Sequence, residues 1–186
     1  INTGAMYRAV ALMAERKHIK PEEVEKLVKL VDTMEIHFEN DDLVLNGINV
    51  QEEITMPEIS AIVSNYASIP EVRSKLVQLQ RNIVEKYNVL MDGRDIGTAV
   101  LPNADLKIYL TASSRTRAER RCKELVEKGV NCDIDTVEKD IIDRDYRDMH
   151  REISPLTQAE DAVLVDSSNM SIDEVVKEII KLKNER

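Results

Sequence analysis

Arginines recur beside acids in this chain at spacings suited to holding a phosphorylated ligand. In "DRDYRDMHR", Arg144, Asp148 and Arg151 fall at i, i+4 and i+7. A helix would line them on one face, with one carboxylate able to orient two guanidinium groups. In "SSRTRAERR", Arg117 and Arg121 share a face with Arg120 beside it, while Ala118, Cys122, Leu125 and Val126 face the other way. Taken alone, each segment reads more simply as a solvated, salt-bridged helix. "VLMDGRDIGT" places Arg94 and Asp95 between Gly93 and Gly97, directly after an apolar run. Glycine on both sides permits close backbone approach. A guanidinium there can grip phosphate with two hydrogen bonds, and a carboxylate can accept from an amino or hydroxyl group. A tight turn with a local ion pair accounts for the same residues equally well. "TGAMYR" offers the N–H groups of a helix start at Gly4 and a cation at Arg8, which suits an anion, or simply a capped helix. His18, His37 and His150 form no metal-ligand motif.

These residues need a scaffold, and the second half of the chain supplies the clearest pattern. "NVLMD", "LKIYLTA" and "AVLVDSS" read as buried strands, each followed by a turn or helix. Strand–helix alternation of this kind predicts a parallel α/β sheet, whose ligands bind beyond the carboxyl ends of the strands. Arg94 and Asp95 stand just past the first of them. The first half is largely helical. Thr3 is the expected N-cap of a helix carrying Met6, Val10, Met13 and Ala14. Pro21 opens a second helix with Val24, Leu27, Val28 and Val31. Alternation with turns at Asn40-Asp41-Asp42 and Asn46-Gly47 predicts a small antiparallel sheet. Thr55 and Glu58 form a predicted capping box. After Pro70, the spacing of Val72, Leu76, Leu79 and Ile83 predicts a longer helix. Ser171 and Glu174 cap a last one. The coarse expectation is an α/β core with a β-rich insertion near residues 32–66 and a polar helical hairpin over 114–151.

Composition narrows the class. One compact domain suits 186 residues, 42% hydrophobic and 33% charged. A net charge of −9 argues against general affinity for nucleic acid or anionic lipid, and no window reads as a membrane span. Cys122 and Cys132 lack a C-x-x-C partner and read as two reduced thiols of a cytoplasmic protein. The chain opens "INTGAMYRAV" with no initiator Met, as though starting mid-fold, so a preceding segment is expected.

The segments "TGAMYRAV", "SNYASIPEVR", "DGRDIGTAVLPNADLKIYL", "RAERRCKELVEKG", "DRDYRDMHREISPL" and "AVLVDSS" together resemble, in order, the bacterial cytidylate kinases. These are nucleoside monophosphate kinases of the P-loop fold. The resemblance implies a three-layer parallel sheet with helices on both faces, a small NMP-binding insertion and a helical lid, in a single domain over residues 1–186. It implies transfer of the ATP γ-phosphoryl group to CMP or dCMP, with Mg²⁺ accompanying ATP, in a cytoplasmic monomer. By resemblance, Thr3, Tyr7 and Arg8 face the acceptor nucleotide, Ser64, Arg73 and Asp95 read cytosine, and Arg94 holds phosphate. Arg144, Asp148 and Arg151 hold ribose, phosphate and base, with Arg94, Arg144 and Arg151 the catalytic cations. Arg120, with Arg117, lies on the ATP side of the lid. The family's first strand and its phosphate loop, G-x-x-x-x-G-K-[ST], do not occur in these 186 residues. Other readings stay open: a related kinase with another acceptor, or a nucleotide-binding or scaffold protein without the loop.

Overall fold

A computed structural model describes residues 1–185. The chain forms two compact units, one over Ile1–Ile96 and one over the described residues from Gly97 onward.

The first unit is built on helix α1 (Thr3–Arg16), whose Ala-rich sequence lets neighbouring helices approach closely. Ala5, Met6, Ala9, Val10, Ala11 and Ala14 are all buried, so the helix is covered on more than one face. Its N-cap is Asn2, which accepts from Ala5 N–H at 3.0 Å, and not Thr3 as expected. Thr3 is unsuited to the cap because its own N–H and hydroxyl both donate to the Asp92 carbonyl, at 3.0 and 2.8 Å. Helix α2 (Val24–Asp32) starts three residues after Pro21, with Glu23 at the N-cap, so the proline sits in the turn before the helix. Strands β1 (Ile36–Glu39), β2 (Asp42–Leu45) and β3 (Ile48–Asn49) form the antiparallel sheet foreseen, in the order β1-β2-β3. Both turns take the left-handed backbone that Asn, Asp and Gly tolerate, with φ of 49° and 70° at Asn40-Asp41 and 50° and 78° at Asn46-Gly47.

Helices α3 (Gln51–Ile54), α4 (Pro57–Ala67) and α5 (Pro70–Val84) follow. The Thr55–Glu58 capping box does not form. Thr55 instead ends α3 and spends its hydroxyl on the Glu52 carbonyl at 2.9 Å, leaving Pro57 to start α4 without a side-chain cap. Leu27, Leu30, Leu43, Ile54, Val63, Tyr66, Val72 and Leu76 join α1 in one core that draws on every helix of this unit. "NVLMD" is not a buried strand. Residues 88–92 run alongside 1–3 through a single parallel bridge, Asn2 with Asp92, and Leu90 is exposed.

One π-helical turn (Ile96–Val100), a conformation met often at functional sites, carries the chain out of the first unit. Strands β4 (Ile108–Thr111) and β5 (Val163–Asp166) pair in parallel, Ile108 opposite Val163 and Thr111 opposite Asp166. Between them α6 (Ser114–Glu127) and α7 (Ile134–His150) make the foreseen hairpin, capped by Ser113 and Asp133. Helix α8 (Ile172–Asn184) opens on the foreseen Ser171–Glu174 capping box. The whole is a mixed α/β fold with a parallel pair and many helices. Among the described residues no helix is long and apolar enough to cross a membrane.

Cys122 and Cys132 are not separate thiols: they form a disulfide. Helix α6 ends in a left-handed Gly129 (φ 78°), with Gly129 N–H on the Val126 carbonyl and Val130 N–H on that of Leu125. This closure turns the chain back along α6 and brings the two Cα atoms, ten residues apart in sequence, to 5.3 Å.

Candidate active site

In the first unit the chemistry gathers around Arg73. Both it and Asp95 are almost fully buried, at 3% and 4% exposure. Helix α5 starts at Pro70, so Arg73 projects from its first turn back toward the end of α4. There Nη1 donates to the Ala67 carbonyl at 3.1 Å, and Nη2 donates to the Asp95 carboxylate. The guanidinium also lies over the Tyr7 ring, 5.3 Å from its centroid, a cation–π contact that holds the charge flat against α1. Asp95 thus pairs with an arginine 22 residues away in the chain. Arg94 itself is exposed.

The turn that carries Asp95 is pinned to the start of α1. A Cβ added to Gly93 would stand 2.2 Å from Thr3 Oγ1 and 2.9 Å from Ile96 Cδ1, so only glycine lets the Thr3–Asp92 bonds form. Gly4 is less confined: an added Cβ would meet the side-chain ends of Asn2 at 3.1 Å and Arg8 at 3.3 Å. Desolvation raises the Asp92 carboxyl above its ordinary value of 3.8, opposed by Arg8 and Arg94. Ser64 sits half-buried on α4, one turn before the Ala67 carbonyl that takes Arg73. Among the described residues no hydrogen bond joins its hydroxyl to Arg73.

In the second unit the Arg-Asp-Arg spacing lands as the periodicity required. Asp148 Oδ2 is 4.0 Å from Arg144 Nε, and its Oδ1 is 3.7 Å from Arg151 Nη1. Helix α7 stops at His150, so Arg151 is its C-cap and reaches back from extended backbone. Arg151 Nε donates to the Ser154 carbonyl at 2.6 Å, where Ser154 takes a left-handed turn (φ 50°) before Pro155. Leu156 N–H closes the segment on the Asp148 carbonyl at 2.8 Å.

The two arginines of α6 are engaged locally. Arg117 makes a two-pronged contact with Asp145 of α7 and donates from Nε to the Ala112 carbonyl at 3.1 Å. Arg120 donates to the Ser167 carbonyl at 2.6 Å and the Met170 carbonyl at 3.0 Å, in the segment after β5. Buried Ser167 in turn donates to the Thr111 carbonyl at 3.0 Å. Among the described residues no group of three or more His, Cys, Asp or Glu side chains could hold a metal ion.

The family model for cytidylate kinase matches residues 1–185. The chain belongs to the cytidylate kinase family. Relatives include cytidylate kinases of Clostridium acetobutylicum, 55% identical over 97% of this chain and 83% of that one. The enzyme of Clostridium perfringens strain 13 is 55% identical over 96% of this chain and 82% of its own. That of Clostridium botulinum strain Langeland is 50% identical over 98% and 84%.

Within this member of the cytidylate kinase family, three further residues, Asp145, Asp92 and Lys107, hold the structure around these segments without having been singled out in the sequence. Asp145 locks Arg117, and Asp92 supplies the carbonyl that holds Thr3. Lys107 is 8% exposed and bonds the Pro102 carbonyl and, at 2.8 Å, Asp161. Its stem lies under Gly97, where an added Cβ would be 3.2 Å from Lys107 Cδ. A lysine inside an apolar run was the one visible cue for the last of these.

Proposed function

We propose that the chain is a nucleoside monophosphate kinase that transfers the γ-phosphoryl group of ATP to CMP or dCMP, giving CDP or dCDP and ADP. Identity of 50–55% to cytidylate kinases over 96–98% of its length is the observation that carries this reading. In it, residues 1–186 act as one kinase domain, with 32–66 an acceptor-binding insertion and 114–151 a lid, in a cytoplasmic monomer.

Cytosine presents an amino donor beside ring-nitrogen and carbonyl acceptors. Reading that edge takes a fixed acceptor and fixed donors, and Asp95, Arg73 and Ser64 are proposed for the task. Burial favours it, because a site whose polar groups would be left unmatched rejects the wrong base far more strongly than an apolar pocket does. Thr3, Tyr7 and Arg8 line the acceptor side. Arg94, Arg144 and Arg151 take the phosphates, and Asp148 orients the last two. Phosphoryl transfer passes through a loose transition state, so these residues position the groups and neutralise charge; no general base is needed. Arg117 and Arg120 act from the lid, Arg120 by exchanging its carbonyl acceptors for the ATP side of the site. Mg²⁺ enters as part of the MgATP substrate. It needs only one or two protein carboxylates beside the phosphates.

A coupled ADP-release assay over CMP, dCMP, UMP, AMP and GMP tests the reading. CMP and dCMP should be used well above both purine nucleotides, with UMP a weak substrate. A preference for AMP or GMP would overturn it.

A further inference from the structure

We propose that Cys122 and Cys132 are a thiol–disulfide exchange site in the helical hairpin, at which low-molecular-weight thiols set how firmly α7 is held. The proposal rests on the reading above for its cytoplasmic setting and for the role of α7.

The bond closes a loop of ten residues between the body of α6 and the residue just before Asp133. Asp133 is the N-cap of α7 and accepts from Thr136 N–H at 3.0 Å. The disulfide therefore fixes where α7 begins. Its far end carries Arg144 and Asp148, with Arg151 at the C-cap. Farther along α6, contacts of another kind hold the hairpin: Arg115 with Asp135 and Glu138, Ser114 with Glu138, and Arg117 with Asp145. All but the last lie on a strongly exposed arginine or at a helix start, and exposed ion pairs hold weakly. The disulfide is the hairpin's one covalent tie.

The two sulfurs differ in access. Cys122 faces inward beside Ala118 and is 6% exposed, whereas Cys132 is half-buried in the return loop. A small thiolate thus attacks Cys132 Sγ, forming a mixed disulfide there and expelling Cys122 as the thiolate. A second small thiolate attacks the outer sulfur of that mixed disulfide and releases the Cys132 thiolate with the small disulfide. Two small thiols lose two electrons and two protons in total, and the protein disulfide gains them. Oxidation is the reverse, with a small disulfide such as glutathione disulfide as acceptor. Bonded cysteines in a reducing compartment are characteristically transient or redox-sensing, which is the situation this pair would occupy.

The test uses the native protein equilibrated in buffers of varied glutathione to glutathione disulfide ratio, then alkylated and weighed. The masses should pass reversibly between no alkyl groups and two. Opening a short loop of this kind should lower Tm by roughly 5–10 °C. It should also lower kcat/KM for CMP about fivefold, the low end of coupling between sites. A Cys122→Ser, Cys132→Ser double variant should show the reduced values and no response to the buffer. In Cys122→Ser the glutathione adduct should form on Cys132, and in Cys132→Ser the buried Cys122 should take up little. A bond that resists excess glutathione in the native protein, or never forms with glutathione disulfide, overturns the proposal. So does a preference for Cys122 as the adduct site, or a wild-type rate indifferent to a completed redox change. If neither state phosphorylates CMP, the functional reading fails, while the mass and Tm measurements still decide the exchange site.

Discussion

Arg73 with Asp95 and Arg144 with Asp148 are the same two residue types, each with a buried acid, but with arginines at very different levels of burial. The first pair is 4% and 5% exposed at its side chains, against an aromatic ring and inside a unit with a continuous apolar core. In the second pair Arg144 is 35% exposed, on a helix whose only buried residue is Asp148. Both side chains of the first pair are shut off from water, whereas in the second the acid is buried and the arginine side chain stays part-exposed. The contrast matches the two jobs proposed. Discriminating a base edge needs rigid, desolvated partners, whose mismatch is costly. Gripping phosphates that change charge and position needs cations on an element free to move.

Removing an arginine from each pair is the direct way to break that contrast. Arg73→Met takes the arginine away from buried Asp95 and should destabilise the protein by about 3–5 kcal/mol, read by urea or thermal unfolding. Arg144→Ala should cost less stability than Arg73→Met, since Arg144 is part-exposed and Asp148 keeps Arg151 beside it. Its penalty belongs in kinetics, with kcat/KM for CMP falling roughly 10²- to 10³-fold as a charge-stabilising group is lost. Equal losses of stability in the two variants would show that burial does not separate the pairs.

The smallest expected effect sharpens the wet side. Thr136 holds the Asp133 carboxyl below its ordinary value of 3.8, through side-chain and backbone hydrogen bonds. A lowered folded value means the stabilisation is present above pH 3.8 and is lost as pH falls through the folded value. Asp133→Asn should therefore lower Tm slightly at neutral pH, and the difference from wild type should vanish in acid. A gap that widened in acid would contradict the cap.

What was legible in the sequence follows the range of the interactions. Ser171 with Glu174, the Asn-Asp and Asn-Gly turns, and the Arg144–Asp148–Arg151 face are settled within a few residues, and each was visible. Thr55–Glu58 had the same local signature as Ser171–Glu174, but α3 ended on Thr55 and took its hydroxyl first. Thr3 failed as a cap because Asp92, 89 residues on, claims it. The disulfide depends on how Gly129 reverses the chain, which no cysteine spacing reports. For the site, the residue types at "GRD" were visible but the partner of Asp95 was not, since α5 brings Arg73 to it from 22 residues away.

Asp95→Asn assayed on CMP and UMP in one preparation tests most directly whether the buried pair reads the base. The amide keeps the shape but turns one acceptor into a donor, and it weakens the bond to Arg73, so some loss of Tm is expected on any account. If Asp95 accepts from the cytosine amino group, kcat/KM for CMP should fall by about 2–4 kcal/mol, roughly 30- to 1,000-fold. UMP should lose much less, because its 4-oxo group can accept from the new amide. A variant in which CMP and UMP fall by the same factor, leaving their ratio at the wild-type value, would make Asp95 a structural partner of Arg73 and remove it from base recognition.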